Sequence, residues 1–479
     1  MANQDLATTI EDHALEQVPQ EDRKNWLWIT WNSAGLITTL VMLFFGALVC
    51  FVAGVKTALL AGAASFCITM PVAWALARIA YTTGYSSTLI TRQYGLGNRG
   101  SALASIIFAS FIVGFLALEN ALLYRGVVFY FGIENTLLHQ VLIYGGLTLV
   151  WILLTTFGFV LVSRVSSIML IAFLLVLAYV LADILTQTGS SVVEVLDFGS
   201  QFPADTLLHM GIRTDLDKFI FGLNILIGPA TGLALNNADF GRYGKSTAHI
   251  GTAVTIAIFM QSLVIMLVGG MLMYAGAGVM VDYYHAGGMS LNEAHRQVLR
   301  NPDSIAATFM VFAGTTGFVL MFLAQAKAQV LNAYSSSLCL ANLVDAVTHW
   351  RPGRFFFVIL ANVIALLMLY GHILEYVESW IRLLGVMLSA ISGVIILDYY
   401  LLRPRLEKRG KAPAGQVSVN WAGVISVLLA VLLAHFLLKP YIRIEVLTSY
   451  AFVFLIYLPL RLFLARGDTG NCALGKPGG

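Results

Sequence analysis

Apolar runs dominate the chain. Bounded by charged or Gly/Pro-rich breaks, about twelve of them fall near residues 27–53, 57–80, 101–131, 138–161, 165–187, 217–238, 248–277, 313–344, 355–372, 376–402, 420–438 and 446–465. A helix needs about 20 apolar residues to cross the hydrocarbon core, so the pattern predicts an all-α integral membrane protein with about 12 transmembrane helices. Arg23 and Lys24, Arg92 and Arg99, Arg164, Arg242 and Lys245, Arg351 and Arg354, the run from Arg403 to Lys411, and Arg461 with Arg466 all fall on one side of this arrangement. The positive-inside rule makes that side cytoplasmic, with both termini inside a cell inner (plasma) membrane. The opposite loops are acidic: 188–216 carries Glu194, Asp197, Asp205 and Asp215, and 278–303 carries Asp282, Glu293 and Asp303. Ser304 to Phe312 predicts a short interfacial helix ahead of the eighth span. Asp5, Glu11, Asp12, Glu16, Glu21 and Asp22 make the N-terminus wrong for a signal peptide and predict a cytosolic tail.

Two spans have polar or helix-breaking centres. In the sixth, Gly228-Pro229-Ala230-Thr231-Gly232 puts a proline between two glycines, with Asn236 and Asn237 following. Proline removes a backbone hydrogen bond, and lipid cannot replace it, so a cavity or ligand is expected beside the break. In the first, Asn32-Ser33-Ala34-Gly35 runs into Thr38 and Thr39, a weaker sign of the same thing. Breaks in spans one and six, five spans apart, are what two inverted five-helix repeats would show; a proline kink and small-residue packing are the plainer alternative.

Composition sharpens this picture. The chain is 58% hydrophobic and only 11% charged, with a mean hydropathy of +0.82, so no large soluble domain is present to host separate chemistry. Against that background Glu119 and Lys327 stand in the middle of long apolar runs. A charge at bilayer depth costs about 2.5 to 3.5 kcal/mol on insertion scales, so such groups turn inward, pair, and mark a solute or proton path. Cys50, Cys67, Cys339 and Cys472 have no metal or redox spacing and read as small core residues; the histidines have no ligand spacing either. No nucleotide-binding loop, zinc motif or hydrolase elbow is present, so no enzymatic step, cofactor, metal or nucleic-acid partner is expected. The expected partners are a small-molecule substrate, the lipid bilayer and a proton co-substrate, with the oligomeric state open.

Specific motifs add a family. Asn237-Ala238-Asp239-Phe240-Gly241-Arg242-Tyr243-Gly244-Lys245-Ser246 resembles the ADF-x-R-[FY]-G signature of the cytosine/purine/hydantoin permeases, nucleobase:cation symporter family 1. The run from Leu384 through Gly393-Val394-Ile395-Ile396-Leu397-Asp398-Tyr399 is similar to that family's tenth span. Ala341-Asn342-Leu343, Gly84-Tyr85-Ser86-Ser87 with Arg92, and Ser418-Val419-Asn420-Trp421 also match, so the resemblance covers roughly residues 30–465. It implies a 5+5 inverted-repeat (LeuT-like) core of ten helices plus two accessory helices, working by alternating access. The corresponding division is a cytoplasmic N-terminal tail 1–26, repeats 27–187 and 217–402 separated by an extracytoplasmic loop 188–216, a basic cytoplasmic loop 403–419, accessory helices 420–465 and a cytoplasmic C-terminal tail 466–479.

The resemblance also implies a site between spans one, three, six and eight, where a planar heterocycle is sandwiched by aromatics and read by amides. It sets Phe115 at the span-three aromatic, Glu119 one turn later at the edge-reading position, Ala230 at the span-six aromatic and Gln329 at an amide of span eight. Thr38, Thr39, Thr231 and Gly232 would line the site, and Gly35, Gly228 and Pro229 would break the helices. Gln325, Gln329, Asn332 and Ser336 form a polar stripe at helical spacing that is expected to face the cavity. Ala230 and Glu119 depart from the pattern: the missing ring forfeits about 1 to 3 kcal/mol of stacking, and an ionised carboxylate favours a cation. A protonated Glu119 could instead read a neutral ring, or bond Asn120 or a neighbouring helix backbone.

Lys327 and Ala328 fall where sodium-coupled relatives carry a Ser/Thr pair. Two like charges ~4 Å apart repel by about 4 kcal/mol at an effective dielectric of 20, so sodium is not expected there. The ammonium could replace the ion permanently, titrate as a proton-coupling group, or snorkel to an interface. The sequence therefore points to a secondary transporter importing a cationic, amidine- or guanidine-like compound or N-heterocycle, independent of sodium. An ordinary cytosine, purine or hydantoin symporter is the alternative within the class, and a channel or substrate sensor the alternative outside it.

Overall fold

A backbone in hydrocarbon must satisfy its own amides, which leaves only helices for a chain of this composition outside a closed barrel. The computed structural model describes residues 15–467 apart from 157, 190, 301–302, 372 and 409–416. Asp5, Glu11 and Asp12 of the acidic tail, Arg409 and Lys411 of the basic loop, and Cys472 with most of the C-terminal tail lie outside the described residues. Among the described residues the chain forms helices and loops, with one isolated bridge between Lys24 and Gly244 in place of any sheet. Among the described residues nine helices are long and apolar enough to cross a membrane: Val55–Thr83, Ser101–Phe131, Leu137–Thr156, Ser163–Gln187, Asp215–Gly241, Thr247–Ala286, Ala307–Thr348, Val377–Leu406 and Glu445–Leu464. A bent pair, Trp26–Ile37 and Leu40–Ala53, makes a tenth, and Arg354–Tyr370 and Trp421–Leu437 are shorter apolar helices. These twelve elements fall where the hydrophobic pattern predicted spans, and they are numbered in that order below. Cys50 and Cys339 are buried as expected, whereas Cys67 faces outward.

The packing shows the repeat. The second helix packs along the sixth, and their counterparts five places on, the seventh and the first, pack along each other; likewise the eighth meets the fifth as the third meets the tenth. The third and eighth helices, equivalent by the same rule, form a long central contact. The eleventh and twelfth pack on each other and on the tenth, outside this core.

The breaks are not all where the sequence placed them. The first span bends by 67° between its two half-helices. The bend lies at Thr38 (φ −91°, ψ 52°) and Thr39 (φ −111°, ψ 164°), while Gly35 is inside the first half-helix. Gly35 serves close packing instead: a Cβ there would lie 2.7 Å from the Ser166 hydroxyl oxygen and 2.8 Å from Leu331. The sixth span is one continuous helix from Asp215 to Gly241 with Pro229 inside it, so the expected break at Gly228-Pro229 is absent. A single proline costs one bond, to the carbonyl of Ile225, and the surrounding helices hold the remaining turns in place. Gly228 instead lets the sixth and tenth helices touch: a Cβ on Gly385 would come within 2.8 Å of the Gly228 Cα. The interfacial helix before the eighth span is present, joined to it through Gly314 at φ 49°, ψ −122°, a left-handed joint suited to glycine. The loop at 188–216 holds two short helices, Val192–Leu196 and Ala204–His209.

The glycine contact gives a stability test. Gly385→Val should lower stability by about 1 to 3 kcal/mol through overpacking, read as a fall in the melting temperature of the detergent-extracted protein. Gly145→Ala, where a Cβ meets open space, should leave that temperature unchanged or raise it.

Candidate substrate site at the break of the first span

A helix interrupted inside a membrane exposes carbonyls at one stump and amides at the other, with partial negative and positive charge respectively. Each stump here has its own partner. The Lys327 ammonium donates to the Thr38 carbonyl at the end of the first half-helix and to the Ala324 carbonyl at 2.8 Å, and lies 4.3 Å over the ring of Phe173 from the fifth span. Thr38 returns its hydroxyl to the Ala34 carbonyl at 2.7 Å. On the other side of the bend, the Thr39 hydroxyl caps the second half-helix by accepting from the Met42 amide at 3.4 Å. The Glu119 carboxyl group lies near that hydroxyl. Asn332 of the eighth span donates to Glu119 Oε2 at 3.1 Å.

Cation and carboxyl thus stand at the helix ends of opposite partial charge. Glu119 and Lys327 are near enough to act on each other electrostatically, yet each makes its hydrogen bonds elsewhere and no direct ion pair joins them among the described residues. Both are fully enclosed by protein, so neither charged group meets lipid.

Beside Glu119 lies a cavity of about 20 Å³, room for about one water, lined by Leu36, Ile37, Met42, Phe111, Phe115, Glu119, Pro229, Leu233, Asn236, Gln261 and Asn332. Two rings, Phe111 and Phe115, line it, and Trp380, outside the lining, packs against both. Phe111 and Phe115 have centroids 5.0 Å apart, and Trp380 of the tenth helix lies 6.2 Å from the first, nearly parallel at 12°, and 5.5 Å from the second. Gly114 and Gly232 make room for this cluster, because a Cβ on either would collide with Trp380 or Phe111.

Several expected site residues lie elsewhere. The cavity face of the sixth helix is Pro229, Leu233 and Asn236, spaced one helical turn apart, so Ala230 and Thr231 point around the helix and do not line the cavity. Thr231 donates to the Ile227 carbonyl at 2.8 Å and lies near Tyr450 of the twelfth helix. In the eighth helix, Gln325 and Gln329 do not line it either: they donate to the backbone carbonyls of Glu119 at 3.2 Å and Leu116 at 3.0 Å, clamping the third helix. Ser336 turns back onto the Ala333 carbonyl, leaving Asn332 as the stripe's cavity residue. Gln261 and Trp380 were not singled out from the sequence; each stands among apolar residues and carries no motif.

The arginine-bearing end is tied shut across several elements. Ser33 donates to Asn237 at 2.5 Å, Asp239 accepts from the Ser87 amide at 2.7 Å and hydroxyl at 3.0 Å, and Arg242 donates to the Tyr334 hydroxyl at 3.0 Å. Arg92 pairs with Asp345 at 2.7 Å and donates to Asn342 Oδ1 at 2.5 Å. These residues of the Ala238-Asp239-Phe240 and Ala341-Asn342 motifs therefore bind helices together rather than a solute.

Solved structures share this architecture. An inward-facing conformation of Mhp1 is similar over 97% of this chain and 97% of that one, with a TM-score of 0.69 at 16% identity. Mhp1 described as a nucleobase-cation-symport-1 family transporter, closed with bromovinylhydantoin bound, gives 0.68 at 17% identity over 94% and 95% of the two chains. The substrate-bound outward-open state of a Na+-coupled sialic acid symporter gives 0.63 at 13% identity over 96% and 93%. At these identities the likeness establishes the LeuT-like fold. A comparison with curated protein sequences returned no match. The family model described as permease for cytosine/purines, uracil, thiamine, allantoin matches residues 17–456, and the chain therefore belongs to this family of membrane transporters.

Proposed function

We propose that the protein imports a small, nitrogen-rich solute by alternating access, with Glu119 as its principal recognition group and Lys327 in place of a coupling sodium ion. Glu119 carries the reading. Its carboxyl borders the cavity beside Phe115 and already accepts from Asn332, and an ionised carboxylate has about four lone-pair sites, enough to take further N–H donors from a solute. A guanidine, amidine or aminoimidazoline would place its flat face on Phe115 and its N–H edge on Glu119. Since the cavity is small, the surrounding helices separate to admit such a solute.

Lys327 supports independence from sodium. The Thr38 and Ala324 carbonyls that receive its ammonium are the kind of oxygen ligands a sodium ion would use between the first and eighth spans. A free cation added there would face the repulsion of a fixed one. The driving force is then the solute's own charge or a proton. The end bearing Arg92, Arg242 and Arg351 faces the cytoplasm of a cell whose inner membrane holds the protein, by its excess of basic residues.

A second reading has its own support: the cluster of Phe111, Phe115 and Trp380 offers a stacking surface for a neutral planar ring, supplying from the third and tenth helices what Ala230 does not. Such a ring would present a neutral N–H to Glu119.

Three outcomes are expected. Uptake of guanidinium compounds into proteoliposomes should be abolished by Glu119→Gln while the variant remains extractable and folded; unchanged transport would remove Glu119 from the site. Replacing sodium by choline at fixed pH and potential should leave wild-type uptake and melting temperature unaltered, whereas Lys327→Ser should acquire a sodium-dependent rise in melting temperature by linkage. A sodium-stimulated wild type would refute the substitution. Finally, a thiol introduced by Trp350→Cys should react with an impermeant maleimide in opened but not in intact spheroplasts; the reverse pattern would invert the orientation.

A further inference from the structure

The seventh helix widens into a π turn over Met260–Ile265. Such turns are rare and recur at functional sites, because the extra residue re-aims the side chains on one face. Gln261 stands in this turn, is 5% exposed, and lines the cavity that also holds Glu119. Its Oε1 has no hydrogen-bond partner among the described residues, and Nε2 reaches only the Met42 sulfur at 3.9 Å, a weak acceptor. Exchanging the amide oxygen and nitrogen does not cure this, since whichever atom faces away from Met42 still lacks a partner. Asn236 and Asn332 also line the cavity, and Asn332 donates to Glu119; Gln325 and Gln329 donate to the backbone of the third helix and, although their Oε1 atoms also lack a partner among the described residues, stand outside the lining. A polar atom buried without a partner is costly, and one aimed into a cavity is ready for a ligand.

We infer that Gln261 is a specificity-determining residue whose amide oxygen accepts an N–H from the edge of the solute opposite the one taken by Glu119. The inference rests on the proposed reading of this cavity as the substrate site, and it narrows the solute class. Two acceptors, a carboxylate on the third helix and an amide oxygen on the seventh, select compounds with N–H groups on two separated edges: guanidinium, aminoimidazoline or ureide chemistry. Rings with a carbonyl oxygen on the second edge are disfavoured. The seventh helix is thereby a source of recognition in addition to spans one, three, six and eight.

The test uses purified full-length protein and a fixed panel: guanidinium, 2-aminoimidazoline, allantoin, hydantoin, uracil and cytosine. Thermal shift and proteoliposome uptake are read for the wild type, Gln261→Met, Gln261→Glu and Glu119→Gln. Gln261→Met keeps the length of the side chain and removes its amide; it should raise KM for the preferred compounds by about tenfold or more with Vmax little changed. Gln261→Glu keeps an acceptor, adds charge, and should shift preference from allantoin toward guanidinium and 2-aminoimidazoline. Loss of melting temperature in Gln261→Met with KM intact for its remaining folded fraction would mean a packing role and overturn the inference. If Glu119→Gln changes the ranking and both Gln261 variants leave it alone, the proposed function stands and this inference falls. If the Gln261 variants change the ranking and Glu119→Gln does not, the inference stands and the role of Glu119 falls. A wild type that responds to none of the six overturns both.

Discussion

The bend in the first span depends on one contact, the Lys327 ammonium on the Thr38 carbonyl. A helix stump buried in protein at membrane depth needs a donor for its last carbonyls, and water is not there to provide it. Lysine supplies up to three donors from a flexible stem, and here one reaches the Thr38 carbonyl and another the Ala324 carbonyl of its own helix. Once that carbonyl is fixed, Thr39 can start the second half-helix, and its amide end can face the carboxyl of Glu119. The two buried charges are thus reconciled with an apolar surrounding through the broken helix between them, without touching each other.

The same geometry explains why the third and eighth helices are so closely joined. Gln325, Gln329 and Asn332 occupy one face of the eighth helix and meet the Glu119 carbonyl, the Leu116 carbonyl and the Glu119 side chain of the third. Two of these bonds go to backbone carbonyls already used within the third helix, so they hold position rather than satisfy stranded groups. Only the third reaches the cavity. The cavity is therefore narrow, lined by the rings of Phe111 and Phe115 and by a few polar side chains from the third, sixth, seventh and eighth helices.

Much of this was legible in the sequence, because a span of about 20 apolar residues is imposed by the bilayer and leaves a long signal. The twelve elements, the interfacial helix before the eighth span and the two misplaced charges could be read directly, and Phe115 and Glu119 do border one cavity. Local breaks were harder. Pro229 looked like an interruption, yet helices tolerate a single lost bond when neighbours hold them, and the sixth remains whole. The bend three residues after Gly35 falls at the end of the small and hydroxyl cluster, but its exact place is met by a lysine some 290 positions away, a tertiary partner that the local sequence does not show. Direction around a helix was a third difficulty: Ala230 and Thr231 sit next to Pro229 in sequence but about 100° and 200° around the helix from its cavity face. Gln261 was invisible for a similar reason, since a π turn changes facing without changing composition.

A cation tethered to the chain behaves unlike one borrowed from the medium. It travels with the chain, so the stump it braces cannot be freed by dilution, and in the proposed function it takes the place of a sodium ion without crossing the bilayer, so no sodium gradient is released through it. Concentrative work must then be drawn from something that does cross. For a singly charged solute that source is the electrical potential itself, about 2.3 kcal/mol per 100 mV, which caps accumulation at about fiftyfold for that voltage.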